Sequence, residues 1–364
     1  MQLRETIVQR IREEGPISFH DFMEMALYYP DKGYYTSERN QIGMLGDYYT
    51  SSNLTPAFGA VIGRQLEEMW DILGRNEFTV LEFGAGTGLL CHDILEYLKT
   101  NQALYHQLCY CIIERSPSMR TREMAHLGEK VEWYQSTQDI SPFTGCILSN
   151  ELLDNFPVHQ VVMQDELMEV YVDYQNEFVE LLKPASEALV DYFAGLNVLL
   201  PKGFRTEVNL EVREWIGDVA ACLKSGYLIT IDYGYPSTEL YSQRRRAGTI
   251  LCYNKHTIND KPYFAVGEQD ITSHINFSAL CHWGFKNDFL CCGLVNLANF
   301  LLALGFKDIL RSTLSEETGL NLVTLAKKEA FLSHTLLMDM GRKFRVLIQR
   351  KGIEPNDLTG LKFM

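Results

Sequence analysis

Leu81-Glu82-Phe83-Gly84-Ala85-Gly86-Thr87-Gly88-Leu89 ends an apolar run that begins at Phe78 and opens a helical pattern that reaches Leu98. Glycines at such a junction let the backbone turn sharply and let a bulky ligand approach the helix N-terminus with no Cβ in its way. A nucleotide-like ligand is implied. On either side of this stretch, short apolar runs alternate with helical ones, which marks βα units and a parallel sheet. The pattern predicts strands over 78–83, 108–114, 131–134, 146–149, 227–232 and 344–349, with helices over 89–98 and 118–127.

About 75 residues separate the fourth and fifth of these strands, far more than a crossover needs. Within that insertion, residues 158–182 alternate polar and apolar side chains in three runs, an antiparallel meander, and 187–193 and 208–223 read as helices. Upstream, residues 2–14 form an amphipathic helix stopped by Gly15-Pro16, and 54–73 a second helix. Between them, Tyr28 to Tyr35 and Gly46 to Ser51 are too rich in turn residues for regular structure. Residues 234–275 read as irregular and 289–304 as helical. The expected fold class is α/β: a Rossmann-type core over 76–155 and 225–364, a helical N-terminal extension with a lid loop over 1–75, and an inserted α+β subdomain over 156–224.

Composition narrows the function. Hydrophobic residues make up 46% and charged residues 22%, the balance of a folded, water-soluble chain. The formal charge of −14 repels phosphate backbones, so nucleic acid is not an expected partner. Arg244-Arg245-Arg246 is a local basic run and reads as a solvated turn. No apolar stretch reaches the length of a membrane span, and the N-terminal residues show neither a signal-peptide centre nor a transit-peptide composition, so the expectation is a cytoplasmic protein without membrane insertion. The nine cysteines contain no CxxC pair, which predicts reduced core thiols for most of them and no metal site.

The glycine pattern separates two cofactor classes. A dinucleotide fingerprint asks for a third glycine at position 89, where Leu89 stands. The tighter G-x-G-x-G, with Glu82 two residues upstream, matches S-adenosylmethionine (SAM) instead, whose sulfonium and ammonium suit a nearby carboxylate that a diphosphate would not. Glu114, 26 residues after Gly88 at the end of the second strand, is placed to accept both ribose hydroxyls. Gln138 and Asp139, after the third strand, are candidates for the adenine. The alternative is a glycine-rich turn that merely links strand to helix, beside ordinary surface acids.

Taken in order, several segments resemble the MidA-like class I SAM-dependent methyltransferases: Ile17-Ser18-Phe19, Met23 to Tyr35, Gly46 to Ser51, Glu82 to Gly88, Ile113 to Pro117, Asn150-Glu151-Leu152-Leu153-Asp154-Asn155-Phe156-Pro157, Ile231 to Gly234, and Asp270 to Phe277. The family's mitochondrial member is a complex I assembly factor that methylates a protein arginine. The resemblance implies a Rossmann-type methyltransferase core with family-specific insertions, SAM as cofactor and a protein side chain as acceptor, with a respiratory subunit or an analogous partner as substrate. Ser51-Ser52-Asn53-Leu54 and Asn276 depart from the family pattern, where a proline with an acid and an aspartate are expected.

An arginine acceptor stays protonated at physiological pH, so a carboxylate must orient its fork and take charge as the proton leaves. Glu151 and Asp154, at the end of the fourth strand, are the leading catalytic carboxylates, their spacing of three suiting one face of a helical turn. In the competing reading Asn150 caps a helix and both acids sit in its first turn. Candidate cofactor residues are Glu82, Gly84, Gly86, Gly88, Glu114, Gln138, Asp139, Asn150 and Thr50, the last with Tyr48 in the lid loop. Asp232 and Tyr233 are candidates for the acceptor pocket, and His256 and His274 for secondary roles. A nicotinamide oxidoreductase, a non-catalytic SAM-binding assembly factor and a homodimer all stay open at this point.

Overall fold

The computed structural model describes residues 2–37, 51–254, 257–317 and 321–364. Two compact units divide the chain: one is Tyr49–Leu152, Ile216–Tyr233 and Gly284–Met364, the other Met1–Tyr48, Leu153–Trp215 and Gly234–Trp283.

The first unit is built on β1 (Phe78–Phe83), β2 (Leu108–Ile113), β3 (Val131–Tyr134), β4 (Phe143–Asn150), β5 (Leu223–Tyr235), β6 (Leu290–Asn296) and β7 (Phe344–Lys351). Their order across the sheet is β3-β2-β1-β4-β5-β7-β6. Neighbours among β1 to β5 pair in parallel, whereas β7 runs antiparallel to both β5 and β6. The central strands are buried along nearly their whole length, as expected of a parallel sheet covered on both faces. The last residues of β5, Gly234 and Tyr235, belong to the second unit and pair with Ile275 and Asn276.

Two glycines set the spacing at the middle of this sheet. Gly145 on β4 faces Thr79 on β1 and Gly226 on β5. A Cβ on Gly145 would lie 1.9 Å from the Thr79 carbonyl oxygen, and one on Gly226 equally close to the Gly145 carbonyl. No side chain fits at either position without parting the strands.

Helix α1 (Pro56–Ile72) starts with Thr55 accepting from the Ala57 amide and with proline in its first turn. Its face of Phe58, Val61, Ile62 and Leu66 joins one core cluster with Ile94 and Leu98 of α2 (Leu89–Leu98). Burying each such side chain contributes roughly 1.5–3 kcal/mol. Helix α3 (Pro117–Met124) follows β2, with Ser116 accepting from the Met119 amide.

In the second unit the long strand Leu167–Gln175 pairs antiparallel with Glu177–Pro184 on one edge, and with His159–Met163 and Ile17–Ser18 on the other. Helix Leu3–Glu14 through Leu3, Ile7 and Ile11, and helix Phe19–Tyr28 through Phe19, Phe22 and Met23, share a core with Val170, Val172 and Ile271. A three-stranded sheet comprises Leu251–Asn254, Thr257–Asn259 and Asp270–Thr272.

The boundaries differ from the sequence reading. Helix α1, expected in a 1–75 extension, belongs with the sheet unit because its apolar face completes that core. Residues 234–283, expected in the core, group with the insertion. The meander at 158–182 is present, while the irregular 234–275 contains the small sheet. Residues 289–304 split into β6 and a helix, Leu297–Ala303, at Asn296, whose side chain accepts from the Asn299 amide. A continuous apolar run does not tell strand from helix, and pairing with β7 decides for strand.

Among the described residues, Cys91, Cys109, Cys111, Cys146, Cys222, Cys252 and Cys292 are free thiols, and no helix is long and apolar enough to cross a membrane. Replacing Gly145 with alanine should lower stability by at least about 2 kcal/mol, read as a reduced urea midpoint. A midpoint equal to wild type would show that β1 and β4 tolerate wider separation.

Candidate active site

The carboxyl ends of β2, β1, β4 and β5 lie side by side, and the sequence places a distinctive group just past each. After β1, Gly84, Gly86 and Gly88 all adopt positive φ, at 63°, 61° and 78°, which a side chain would oppose. The Gly84 amide donates to the Ile113 carbonyl at 3.0 Å, tying this loop to the end of β2. Gly88 is the N-cap of α2, so the free amides of the helix start face the loop.

Glu114 follows β2 directly. Its amide donates to the Tyr134 carbonyl, and its carboxylate accepts from the Ser116 amide at 2.6 Å. Burial raises its pKa against those bonds. Gln138 and Asp139 follow the edge strand β3 in a short 3-10 turn and are exposed.

Glu82 departs from its expected place at the mouth of the loop. It lies within β1, 2% exposed, and accepts a 2.7 Å hydrogen bond from the Tyr110 hydroxyl of the adjacent strand. A strand residue two positions before the loop points into the layer beneath the sheet, not past its end. Burial pushes its pKa up to about 7 despite the tyrosine.

Sequence reasoning missed Glu123. It sits on α3, fully buried, with one carboxylate oxygen accepting from the Trp133 indole at 2.9 Å and the other lacking a hydrogen-bond partner. Burial, with the nearby charge of Glu114, pushes it up to about 8. The charged sequence of α3 reads as a solvated face, and only the Ser116-Pro117 helix start marks the segment.

Past β4, Asn150 is the last paired residue, opposite Ile231. Ser149 Oγ and Asn150 Oδ1 are buried without hydrogen-bond partners. Glu151 then takes a left-handed conformation, φ 52°, its amide donating to the Ile231 carbonyl. This backbone is unusual outside glycine and costs on the order of 1 kcal/mol or more. The Glu151 carboxylate accepts from the Ser51 amide at 3.2 Å and from the Asn150 side chain at 3.4 Å. Burial and then the neighbouring Asp232 charge push it up to about 8. Asp232, buried at the end of β5, accepts from the amides of Leu152 and Tyr233.

Glu151 and Asp154 therefore do not share a helical face, and Asn150 caps no helix. The chain leaves β4 through a left-handed residue and enters a 3-10 turn, Leu153–Asn155, that belongs to the second unit. There Asp154 is buried and its carbonyl accepts from the Ser273 amide, while Asn155 donates to Asp270, which also accepts from the Tyr35 hydroxyl. His274 is half-buried in the same unit, and desolvation and then the Arg245 charge lower its pKa to about 4. Thr50, Tyr48 and His256 lie outside the described residues.

The groups at the strand ends fit an adenosyl sulfonium cofactor: a glycine loop at a helix start, acceptors at Glu114, Ser149 and Asn150, and buried carboxylates whose ionised forms a cation would favour. This is the site of a Rossmann-type, SAM-dependent methyltransferase. The model of a family described as "Putative S-adenosyl-L-methionine-dependent methyltransferase" matches residues 61–293, and the chain belongs to that family. A crystal structure of a Burkholderia thailandensis protein bound to S-adenosyl-homocysteine superposes with a TM-score of 0.88 at 28% identity, covering 99% of this chain and 94% of that one. The chain is also 24% identical to a Drosophila melanogaster protein and 26% identical to one from Caenorhabditis elegans, covering 96% and 94% of itself and 85% of each relative. Both are named "Protein arginine methyltransferase NDUFAF7 homolog, mitochondrial".

A carboxyl group whose pKa is raised by folding favours the folded state below its unfolded value and loses that contribution as pH rises through the folded value. For Glu82, raised from 4.5 to about 7, the unfolding free energy should fall by about 3 kcal/mol between about pH 5 and about pH 8. Glu82→Gln, which can still accept from Tyr110, should show a shallower decline in urea unfolding at the two pH values. Parallel curves would show that Glu82 does not titrate in this interval.

Proposed function

We propose that this methyltransferase acts on a protein arginine, with Glu151 as the residue that orients and deprotonates the acceptor. The observation that carries the reading is the half-buried, left-handed Glu151 beside Asp232, at the strand ends where the cofactor groups gather. The names of the fly and worm relatives support the same acceptor.

The cofactor supplies an electrophilic methyl group on a sulfonium. In this reading the backbone of Gly84, Gly86 and Gly88, the Glu114 carboxylate and the Asn150 side chain hold it, with Gln138 and Asp139 on the adenine side. Glu82 acts from beneath, by fixing β1 to Tyr110 and adding negative charge under the loop.

Glu151 holds its proton up to about pH 8 while no cation is near. An approaching guanidinium favours the carboxylate, which then accepts two parallel N–H bonds and fixes the planar fork. As the new N–C bond forms, the methyl carbon's bond to sulfur would break with its electron pair left on a neutral thioether, and the nitrogen's proton passes to the Glu151 carboxylate. Asp232 accepts from two backbone amides, and its charge beside Glu151 raises the basicity of the Glu151 carboxylate.

Glu151→Gln should lower transfer by about 10²- to 10⁴-fold while leaving SAM affinity unchanged by calorimetry. Wild-type kcat/KM should rise with pH through about 8, because the ionised form is the active one. Gly86→Val, at φ 61°, should abolish SAM binding. The acceptor is identified by comparing arginine methylation across the proteome with the chain present, absent and replaced by Glu151→Gln. A lost mark on lysine, or on no protein, would overturn the arginine reading.

A further inference from the structure

We infer that Cys109, Cys111 and Glu132 form a binding site for a thiophilic divalent cation of the zinc class. The inference is independent of the acceptor of methyl transfer. Cys109 and Cys111 are two residues apart on β2 and so project from the same face of the sheet. Glu132, on β3, stands opposite Cys111 in the strand pairing. Among the described residues, one ligand atom from each of these three lies within 4.8 Å of the other two.

The spacing suits the ion. The two sulfurs are 3.7 Å apart; thiolates bound to one tetrahedral zinc at about 2.3 Å stand about 3.8 Å from each other. Two cysteines on one strand are thus already at the separation of a ligand pair, without any change of backbone. The Tyr134 hydroxyl donates to one Glu132 oxygen at 2.7 Å, the kind of outer partner that orients a ligating carboxylate. Burial grades from Cys111, which is buried, through half-buried Cys109 to exposed Glu132, so an ion has a path from solvent.

Binding forms two metal–thiolate bonds and one metal–carboxylate bond, releases the thiol protons to solvent and changes no oxidation state. Water completes the tetrahedron. A bound ion would clamp edge strand β3 to β2 just before Glu114.

The test is a cadmium titration of the reduced, metal-free full chain, followed by thiolate-to-metal charge transfer in the ultraviolet, with zinc as competitor. One equivalent should give a band that zinc erases. Cys109→Ser should remove it, and Glu132→Gln and Tyr134→Phe should weaken cadmium binding about 10- to 100-fold. SAM affinity and circular dichroism report whether each variant is folded. No band in the wild type, a band that survives Cys109→Ser, or unchanged affinity in the exposed Glu132→Gln variant would each overturn the site.

Discussion

Backbone pairing of β1 with β2 on one side and β4 on the other is the constraint on which the rest of the catalytic unit depends. Phe83 stands opposite Ile113 and Ser149, so three strands end at one level. The bond from the Gly84 amide to Ile113 carries that alignment into the glycine loop, and the pairing of Asn150 with Ile231 extends it to β5. The Gly145–Gly226 contact holds the same strands in register from below. A shift of one residue in any pairing would turn Glu114 or Asn150 to the opposite face.

The same unit gathers carboxyl groups whose ionisation burial opposes. Glu82, Glu114, Glu123 and Glu151 all have pKa values raised first of all by burial. Such groups weaken the fold as pH rises, so stability alone does not account for four of them in one unit. A cationic cofactor changes the balance, because each carboxylate that ionises next to it regains part of the lost solvation as Coulomb attraction. The raised values fit a site that holds protons when empty of cations and releases them when one enters.

The sheet was legible because its signals are local. Apolar runs at 78–83 and 131–134 match β1 and β3 residue for residue, and the glycines declare their own backbone freedom. Strand β6 was not legible, since its identity comes from pairing with β7, about fifty residues later in the chain. Side-chain direction was equally hidden. Glu82 reads as a mouth residue until strand alternation turns it beneath the sheet, and Glu151 and Asp154 read as one helical turn until the left-handed residue between strand and turn separates them. The Cys109, Cys111 and Glu132 group draws on two strands, so spacing along one segment does not reveal it.

The left-handed backbone at Glu151 links these observations. Asparagine or glycine would adopt that conformation at lower cost, and a glutamate held there needs surroundings that over-determine it. They are present: the Glu151 amide is bonded to Ile231, the next amide to Asp232, and the side chain to Ser51 and Asn150. A helical continuation of β4 would have left Asp232 without the Leu152 amide and would have turned the Glu151 carboxylate away from the Ser51 amide. The strained turn is therefore what brings a second, half-buried carboxylate to within electrostatic reach of Asp232, and a purely structural connection between β4 and the following turn has no need of that pairing.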